Sequence, residues 1–461
     1  MRVPLVQGVE TTPQGDFLVS YPVNREPVVR DLGLAEGYLA IPPGITTLGT
    51  GPGADRGGIN WNGICYRVMG TSLVRISETW SVTVLGDVGG GGPCSFDYSF
   101  DNLIVNSGDN LFYWNGTAGL RQVTDPDLGI VVDVIWIQGY TMTTDGTFIV
   151  VTDLNDPMAV NPLKYGSSEE SPDPITGLIH MHGEAYAMNR YTVQVFQNIG
   201  GTGFPFQTVP TATIPYGCVG ARAKCKYIGT VAFVGGPENA GPGVYLLGAG
   251  DAEKISSAEV DRDLAALSDD ELAAVWIEPR VSDDDQRLII HTPYRSWGFS
   301  SQVSRKSAVK TWCKYSSATT EGRFEGRGIV YAYGKMVVGS STGKFGYLDK
   351  GTAQHYGSDV GWQFDTTLFY NDANRGILTG IDLIGTPGRG ASGIVFFSYT
   401  KDGEVWSLER TTSSGAIGET RKRVAWRPGI RFEQYMGLRF RGVDGSLMGL
   451  ARLECDVEAL A

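Results

Sequence analysis

From about residue 60 the chain repeats one order of elements: a short strand-forming run, a Gly or polar turn, four to six strand formers, a second turn, and another apolar run. Asn60-Trp61-Asn62-Gly63 leads into Ile64–Met69, then Gly70 and Leu73–Ile76. Phe96–Phe100 and the Asp101-Asn102 turn lead into Leu103–Asn106 and then Leu111–Trp114. Val134–Gln138 and Gly139 lead into Tyr140–Thr143 and then Phe148–Thr152. Leu178–His182 and Gly183 lead into Glu184–Met188 and Thr192–Gln197. Lys226–Ile228 and Gly229 lead into Thr230–Val234 and Val244–Leu247. Val275–Val281 and an Asp283–Asp285 turn lead into Arg287–Thr292. Ile329–Tyr333 and Gly334 lead into Lys335–Val338 and Phe345–Leu348. The first turns fall at residues 63, 102, 139, 183, 229, 285 and 334. That recurrence suits β-propeller blades, four-stranded antiparallel sheets of roughly 40–50 residues each. A lone blade cannot cover both faces, whereas a closed ring of blades does so and removes long open edges. Seven units predict seven blades. Because no WD or kelch signature marks them, a pair of β-sandwiches or an irregular β fold stays open as the alternative.

One segment breaks the strand texture. Ser257–Trp276 reads as a helix or two short paired helices, with Val260, Leu264 and Leu267 on one apolar stripe. Ser268 with Glu271 forms a capping box that starts a second helix. After Gly361 the turn spacing changes. Phe364–Tyr370, Thr379–Ile384, Ile394–Tyr399, Val405–Arg410, Lys422–Trp426, Tyr435–Arg441 and Gly449–Val457 read as strands, with Asp402-Gly403 as a hairpin turn. The expected fold is all-β: residues 1–45 an extension closing or bracing the propeller, 46–361 the propeller with a helical insertion near 257–276, and 362–461 a β-sandwich.

Composition narrows the function. The chain has 461 residues, 63 of them Gly, and carries a net charge of −12. From Trp362 onward acidic and basic residues balance at 12 each, so the whole excess lies in residues 1–361. An acidic surface repels phosphate backbones and argues against a dedicated nucleic-acid binder, though not against a wall that DNA must slide past. The six cysteines are scattered without a CxxC pair, which fits a reduced cytoplasmic setting for assembly. Met1–Leu5 begins no signal-like apolar run, and no stretch has the 18 apolar residues of a membrane span.

The search for chemistry returns little. His180 and His182, read as one strand, face the same side but have no further ligand at a telling spacing. His291 lies in an apolar strand and His355 in a polar loop. Gly89–Gly92 lacks the Lys-Ser/Thr ending and helix of a phosphate loop and reads as an inter-blade connection. Lys401-Asp402-Gly403 resembles an Asp-box but occurs once, outside the propeller. The acidic clusters Glu169-Glu170, Asp269–Glu271 and Asp283–Asp285 lack Ca²⁺-loop spacing. No catalytic residue, cofactor or metal is expected. The densest positive feature is Arg421, Lys422 and Arg423 with Arg427 and Arg431. It reads as a solvated sheet edge or as a subunit-interface seam against an acidic neighbour.

Several patches together resemble the tail-hub family of short-tailed phages, also called packaged-DNA stabilisation or head-completion proteins. They are Ser20–Asn24, Glu36–Ile45, Cys65–Gly70, Leu85–Val88, Phe148–Asn155, Gly235–Leu247, Ser268–Ala273 and Arg287–Pro293. The resemblance implies a non-enzymatic virion tail protein, a hexameric ring below the portal and its adaptor. Such a ring extends and seals the DNA channel, retains packaged DNA, and later allows its ejection. Implied partners are the adaptor, a tail needle or plug, and tailspikes or fibres, with DNA passing without specific binding. Two other readings compete. A carbohydrate-binding or polysaccharide-cleaving propeller would show an axial pocket rich in Arg, Asp, Glu and Tyr. The other is a generic propeller interaction module of cellular origin.

Overall fold

The computed structural model describes residues 2–459 except 4, 6, 13, 14, 31, 33, 34, 155, 282–285, 371–374 and 444. Seven antiparallel sheets follow one another between residues 44 and 349, and each is a blade. Blades 1 to 4 span Asp55–Asp87, Ser95–Gln122, Asp133–Ser167 and Ile175–Thr208. Blade 5 spans Gly217–Lys254 and blade 6 Trp276–Tyr315. Blade 7 takes three strands from Arg327–Asp349 and its outermost strand from Gly44–Thr50. The ring therefore shuts through strand pairing between distant parts of the chain, from Gly44↔Asp349 to Thr50↔Lys344. A side-chain bond from Thr46 Oγ1 to Asp349 (2.8 Å) adds to it.

Burial explains the sequence texture. Second strands such as Leu103–Ser107 and Tyr140–Thr144 are buried throughout, since neighbouring blades cover both faces. An outer strand such as Val82–Asp87 is largely open to solvent. The turn after each inner strand repeats one chemistry in five blades: Asn62-Gly63, Gln138-Gly139, His182-Gly183, Ile228-Gly229 and Tyr333-Gly334 all have positive φ at both residues. Two-residue hairpins need that left-handed pair to match strand twist, and the glycine adopts it without Cβ strain. Blade 2 turns instead through Ser99–Asn102. The turn of blade 6, with its Asp283–Asp285 cluster, lies outside the described residues.

At the ring's seam, blade 1 is riveted to blade 7. Arg67 forks onto both oxygens of Asp55 at 2.6 and 2.8 Å, and donates to Gly328 O at 2.9 Å. Both side chains are fully buried. Gly339 leaves the room for this, because a Cβ there would come within 2.1 Å of the Asp55 carboxyl carbon.

The second unit is a sandwich. One sheet joins 26–29, 37–40, Leu450–Ala459, Gly376–Gly385 and Val424–Trp426, with 2–3 and 430–432 at its margins. The facing sheet joins Gly361–Asp365, Tyr435–Val443, Ile394–Thr400 and Arg410–Ser413, with 369–370 beside it. Trp362, Phe364, Phe397, Trp426 and Phe440 fill the space between them. Residues ahead of Gly44 thus divide. Three short strands enter the sandwich, and the hairpin Gly8–Thr11/Phe17–Ser20 lies against Asp365 and Glu259.

Several local readings need correction. Val405–Arg410 is not a strand; Val405 and Leu408 are 69% and 92% exposed. Asp402 instead caps the turn by accepting from Glu404 N and Val405 N, so a long loop joins Thr400 to the strand starting at Arg410. His182 does not share a strand face with His180, since the strand stops at Met181 and His182 turns at φ 53°. His355, read in a polar loop, is buried there. The helical insertion is two short helices, α1 (Ala258–Ala265) and α2 (Asp269–Ala273), the second started by the Ser268/Glu271 capping box. A third helix, α3 (Ser301–Ser307), was not foreseen. Ser300 caps it through Val303 N, but it carries only two turns' worth of signal.

Two predictions follow from the seam. Asp55→Asn strands the buried Arg67 charge and lowers stability by about 3–5 kcal/mol, whereas Glu433→Gln, which removes a pair to Arg375 with both side chains mostly exposed, costs about 0–1 kcal/mol; urea unfolding of both variants separates them. His355 packs beside the closing strand and bonds Ser317 Oγ at 2.8 Å. Burial lowers its pKa from 6.5 to about 4. A base whose folded pKa is depressed leaves the unfolded chain holding more protons between those values, so stability falls as pH drops from about 6.5 towards 4. His355→Asn flattens that slope in a pH series of unfolding midpoints.

Candidate functional site

Two constructions are candidates for function: the cavity on the propeller axis and the junction between the two units. The cavity encloses about 610 Å³ and opens among the first turns of the blades. Inner strands point alternate side chains at the axis. Blades 2 and 3 bring Asp97, Asp133 and Trp136, blade 4 brings His180, and blade 5 brings Arg222, Lys224 and Lys226. Asp133 takes Lys224 Nζ at 2.5 Å and Leu178 N at 2.8 Å. Asp97 takes Trp136 N at 2.7 Å and lies 3.4 Å from His180 Nε2. Arg, Asp and Tyr98 are all present, but each carboxylate is held in a structural contact. Among the described residues of the cavity, Asp97 and Asp133 are the carboxylates, and both are committed to these contacts rather than left as a facing acid and base.

The junction is built from Tyr21–Glu26. Val23 exchanges backbone bonds with Gln363 of the sandwich at 2.8 and 3.1 Å. On its other side Lys314 N donates to Pro22 O, and Asn24 N to Lys314 O, so the outer strand of blade 6 joins the same ladder. Asn24, at φ 48°, donates to Ser316 O and Gly361 O and accepts from Ser316 N. Arg25 stacks 4.2 Å over Trp362 and donates to Met448 O. Glu26 points back into blade 6, taking Arg280 at 2.7 Å, Arg287 at 3.3 Å and the Tyr315 hydroxyl at 2.7 Å. Burial pushes its carboxyl up, but the two guanidiniums and the phenol together hold it below the ordinary 4.5.

The remaining sequence candidates are dispersed. Gly89–Gly92 wraps the Arg56 guanidinium, which donates to Gly89 O and Gly92 O. His291 bonds Glu278 and Ser296. Burial pushes the Cys65 and Cys313 thiols up to about 11. Among the described residues no group of His, Cys, Asp or Glu has a metal-holding arrangement, and no helix is long and apolar enough to cross a membrane. Arg423 and Arg427 both reach Asp382, at 2.9 and 3.4 Å, while Arg421, Lys422 and Arg431 stand exposed nearby in sequence. Sequence reasoning missed the axial cations and the Glu26 cluster. The cations of blade 5 meet Asp133 and His180 only across blades, and Glu26 reaches blade 6 from the sandwich, so neither set is contiguous in sequence.

Residues 1–353 match the family described as Bacteriophage P22 Gp10, beta-propeller, and residues 361–458 match Bacteriophage P22 Gp10, beta-sandwich. The chain belongs to the P22 Gp10 family. One relative, the tail hub protein gp10 of Salmonella phage P22, is 23% identical over 479 residues, covering 99% of each chain. Similar solved structures include the computationally designed Ika8 protein, at TM-score 0.40 and 12% identity over 67% of this chain and 99% of that one. The Neurospora crassa Pan2 WD40 domain has TM-score 0.40 and 11% identity over 64% of this chain and 88% of that one. Ser20–Asn24, one of the patches behind the family resemblance, is the interdomain segment itself. In this Gp10-family chain that motif is structural.

Glu26→Gln tests the junction. With the folded carboxyl pKa depressed, its contribution is present above the unfolded value near 4.5 and is lost as pH falls through the lower folded value. The variant is therefore destabilised at pH 7, by about 3–5 kcal/mol for two cations left without their partner. Its stability also falls less steeply than wild type below about pH 4, read by calorimetry across pH.

Proposed function

We propose that this chain is the structural tail hub of a short-tailed phage virion, acting mechanically rather than catalytically. The observation that carries the reading is full-length: propeller and sandwich match the P22 Gp10 families in order, and the relative covered end to end is a tail hub protein. The protein resides in the virion tail and assembles with other tail proteins.

The finer proposal is a hexameric ring below the portal and its adaptor. It extends the DNA channel, is closed by a needle or plug, and lies beside tailspikes or fibres. The charge distribution supports it, since the entire −12 belongs to residues 1–361 and an acidic lumen lets DNA slide. Arg421, Lys422 and Arg431, with no ion pair among the described residues, are offered as a seam to an acidic surface of the next subunit, with Arg423 and Arg427 anchored behind them on Asp382. Closed blades suit a wall under load, because no open edge offers a place for peeling to begin.

Mass photometry of the purified protein, alone and with adaptor-bearing heads, tests this. The expected result is a ring that Arg421→Glu, Lys422→Glu and Arg431→Glu together weaken at least tenfold and that added salt also weakens. A strict monomer under both conditions would sink the ring proposal. A monomer that also cleaves glycans would sink the tail-hub reading altogether.

A further inference from the structure

The acids of the axial cavity are satisfied within the protein; of its cations Lys224 is paired with Asp133, but Arg222 and Lys226 have no ion pair among the described residues. The Arg222 guanidinium makes no hydrogen bond or ion pair among the described residues, lies 4.7 Å over the Trp276 ring, and buries its Nε without an acceptor. The carboxylates whose charge reaches it are engaged elsewhere. Asp133 holds Lys224, and Glu278 accepts from His291 and from Ile329 N. Lys226, on the same cavity wall, has His180 Nε2 at 3.2 Å as its side-chain contact. Burial lowers the pKa of both cations, the effect of taking charge from water without full compensation. Such groups cost stability until an anion meets them.

The mouth has a second property. Phe100 is 88% exposed beside Trp136, and Ile228 and Tyr331, on blades 5 and 7, are 42% and 63% exposed at the same end of the inner strands. Ile228 takes the left-handed position of its turn at φ 50°, where its blade 1 counterpart is Asn62. A β-branched residue is disfavoured there, so an apolar side chain is held on this face at a conformational cost. The rim extends apolar surface well beyond what one small anion covers. The acidic excess of the propeller opposes long polyanions, so a nucleic-acid strand is the wrong occupant.

We propose that the axial cavity docks an extended peptide segment of another chain, with an Asp or Glu carboxylate held by Arg222 and Lys226 and an apolar neighbour laid against Phe96, Phe100 and Trp136. The volume lies in the range of about 300–1,000 Å³ used by built ligand sites. A carboxylate meeting a guanidinium forms charge-assisted, frequently bidentate bonds. The inference holds whether or not the protein forms a ring.

The test is fluorescence anisotropy on the full-length protein with dye-labelled random hexapeptide pools carrying central Asp-Phe or Glu-Phe, against matched Asn-Phe and Gln-Phe pools. The acidic pools are expected to bind at least tenfold more tightly, and raised salt to weaken them. Arg222→Gln should abolish that preference, and Arg222→Lys, which keeps the charge and loses the fork, should leave part of it. Ile228→Asn should unfold at an equal or higher temperature than wild type, which establishes its fold, yet bind the acidic pools several-fold more weakly. Equal binding of acid and amide pools, no binding by any pool, or undiminished preference in folded Arg222→Gln would overturn the proposal. So would complete displacement of the acidic pools by millimolar inorganic phosphate, which would mark a small-anion site.

Discussion

A single buried carboxylate governs how the two halves of this protein meet. Glu26 sits on a strand of the sandwich but spends its charge on Arg280 and Arg287 of blade 6, with Tyr315 completing its shell. Taking three charged groups out of water is costly, and the cost is offset only while all of them hold one geometry. That demand reaches outward. Pro22–Asn24 must run as a strand between Lys314 and Gln363, and Arg25 must lie flat on Trp362. Propeller and sandwich are thereby tied to each other along this line.

The ring itself rests on a different logic. Apolar second strands bury because blades cover blades, and this needs no specific pairing beyond shape. Specificity enters at the seam, where Arg67, Asp55 and the vacant side of Gly339 interlock in the interior. The remaining charge is uneven along the chain: the acidic excess lies in residues 1–361, while 362–461 balance, with several exposed cations close to Val424–Trp426.

Much of this was legible in the sequence, for physical reasons. Five of the seven first turns rest on a residue–Gly pair at positive φ, and Gly is a signal that survives without neighbours. The capping box at Ser268 was equally local. Misreadings arose where tertiary contacts outweigh pattern. Val405–Arg410 alternates like a strand, but Asp402 captures the backbone just before it and Val405 and Leu408 are left in solvent. α3 is short enough that its cap outweighs its periodicity. The axial site could not be read at all, since Arg222, Glu278 and Asp133 come together only when separate blades converge.

The strand Gly44–Thr50 has a consequence for timing. It is made before its partner Lys344–Asp349, which emerges some three hundred residues later, and residues 2–3 wait for Leu453 and Glu454. Neither unit can finish until these later segments have been made. Long-range closure of this kind folds slowly, because the entropy of joining distant segments must be met before their contacts form. The molecule is thereby built so that a partly synthesised copy has an unfinished ring and an unfinished sandwich, and only a finished chain presents the surfaces on which a tail could be assembled.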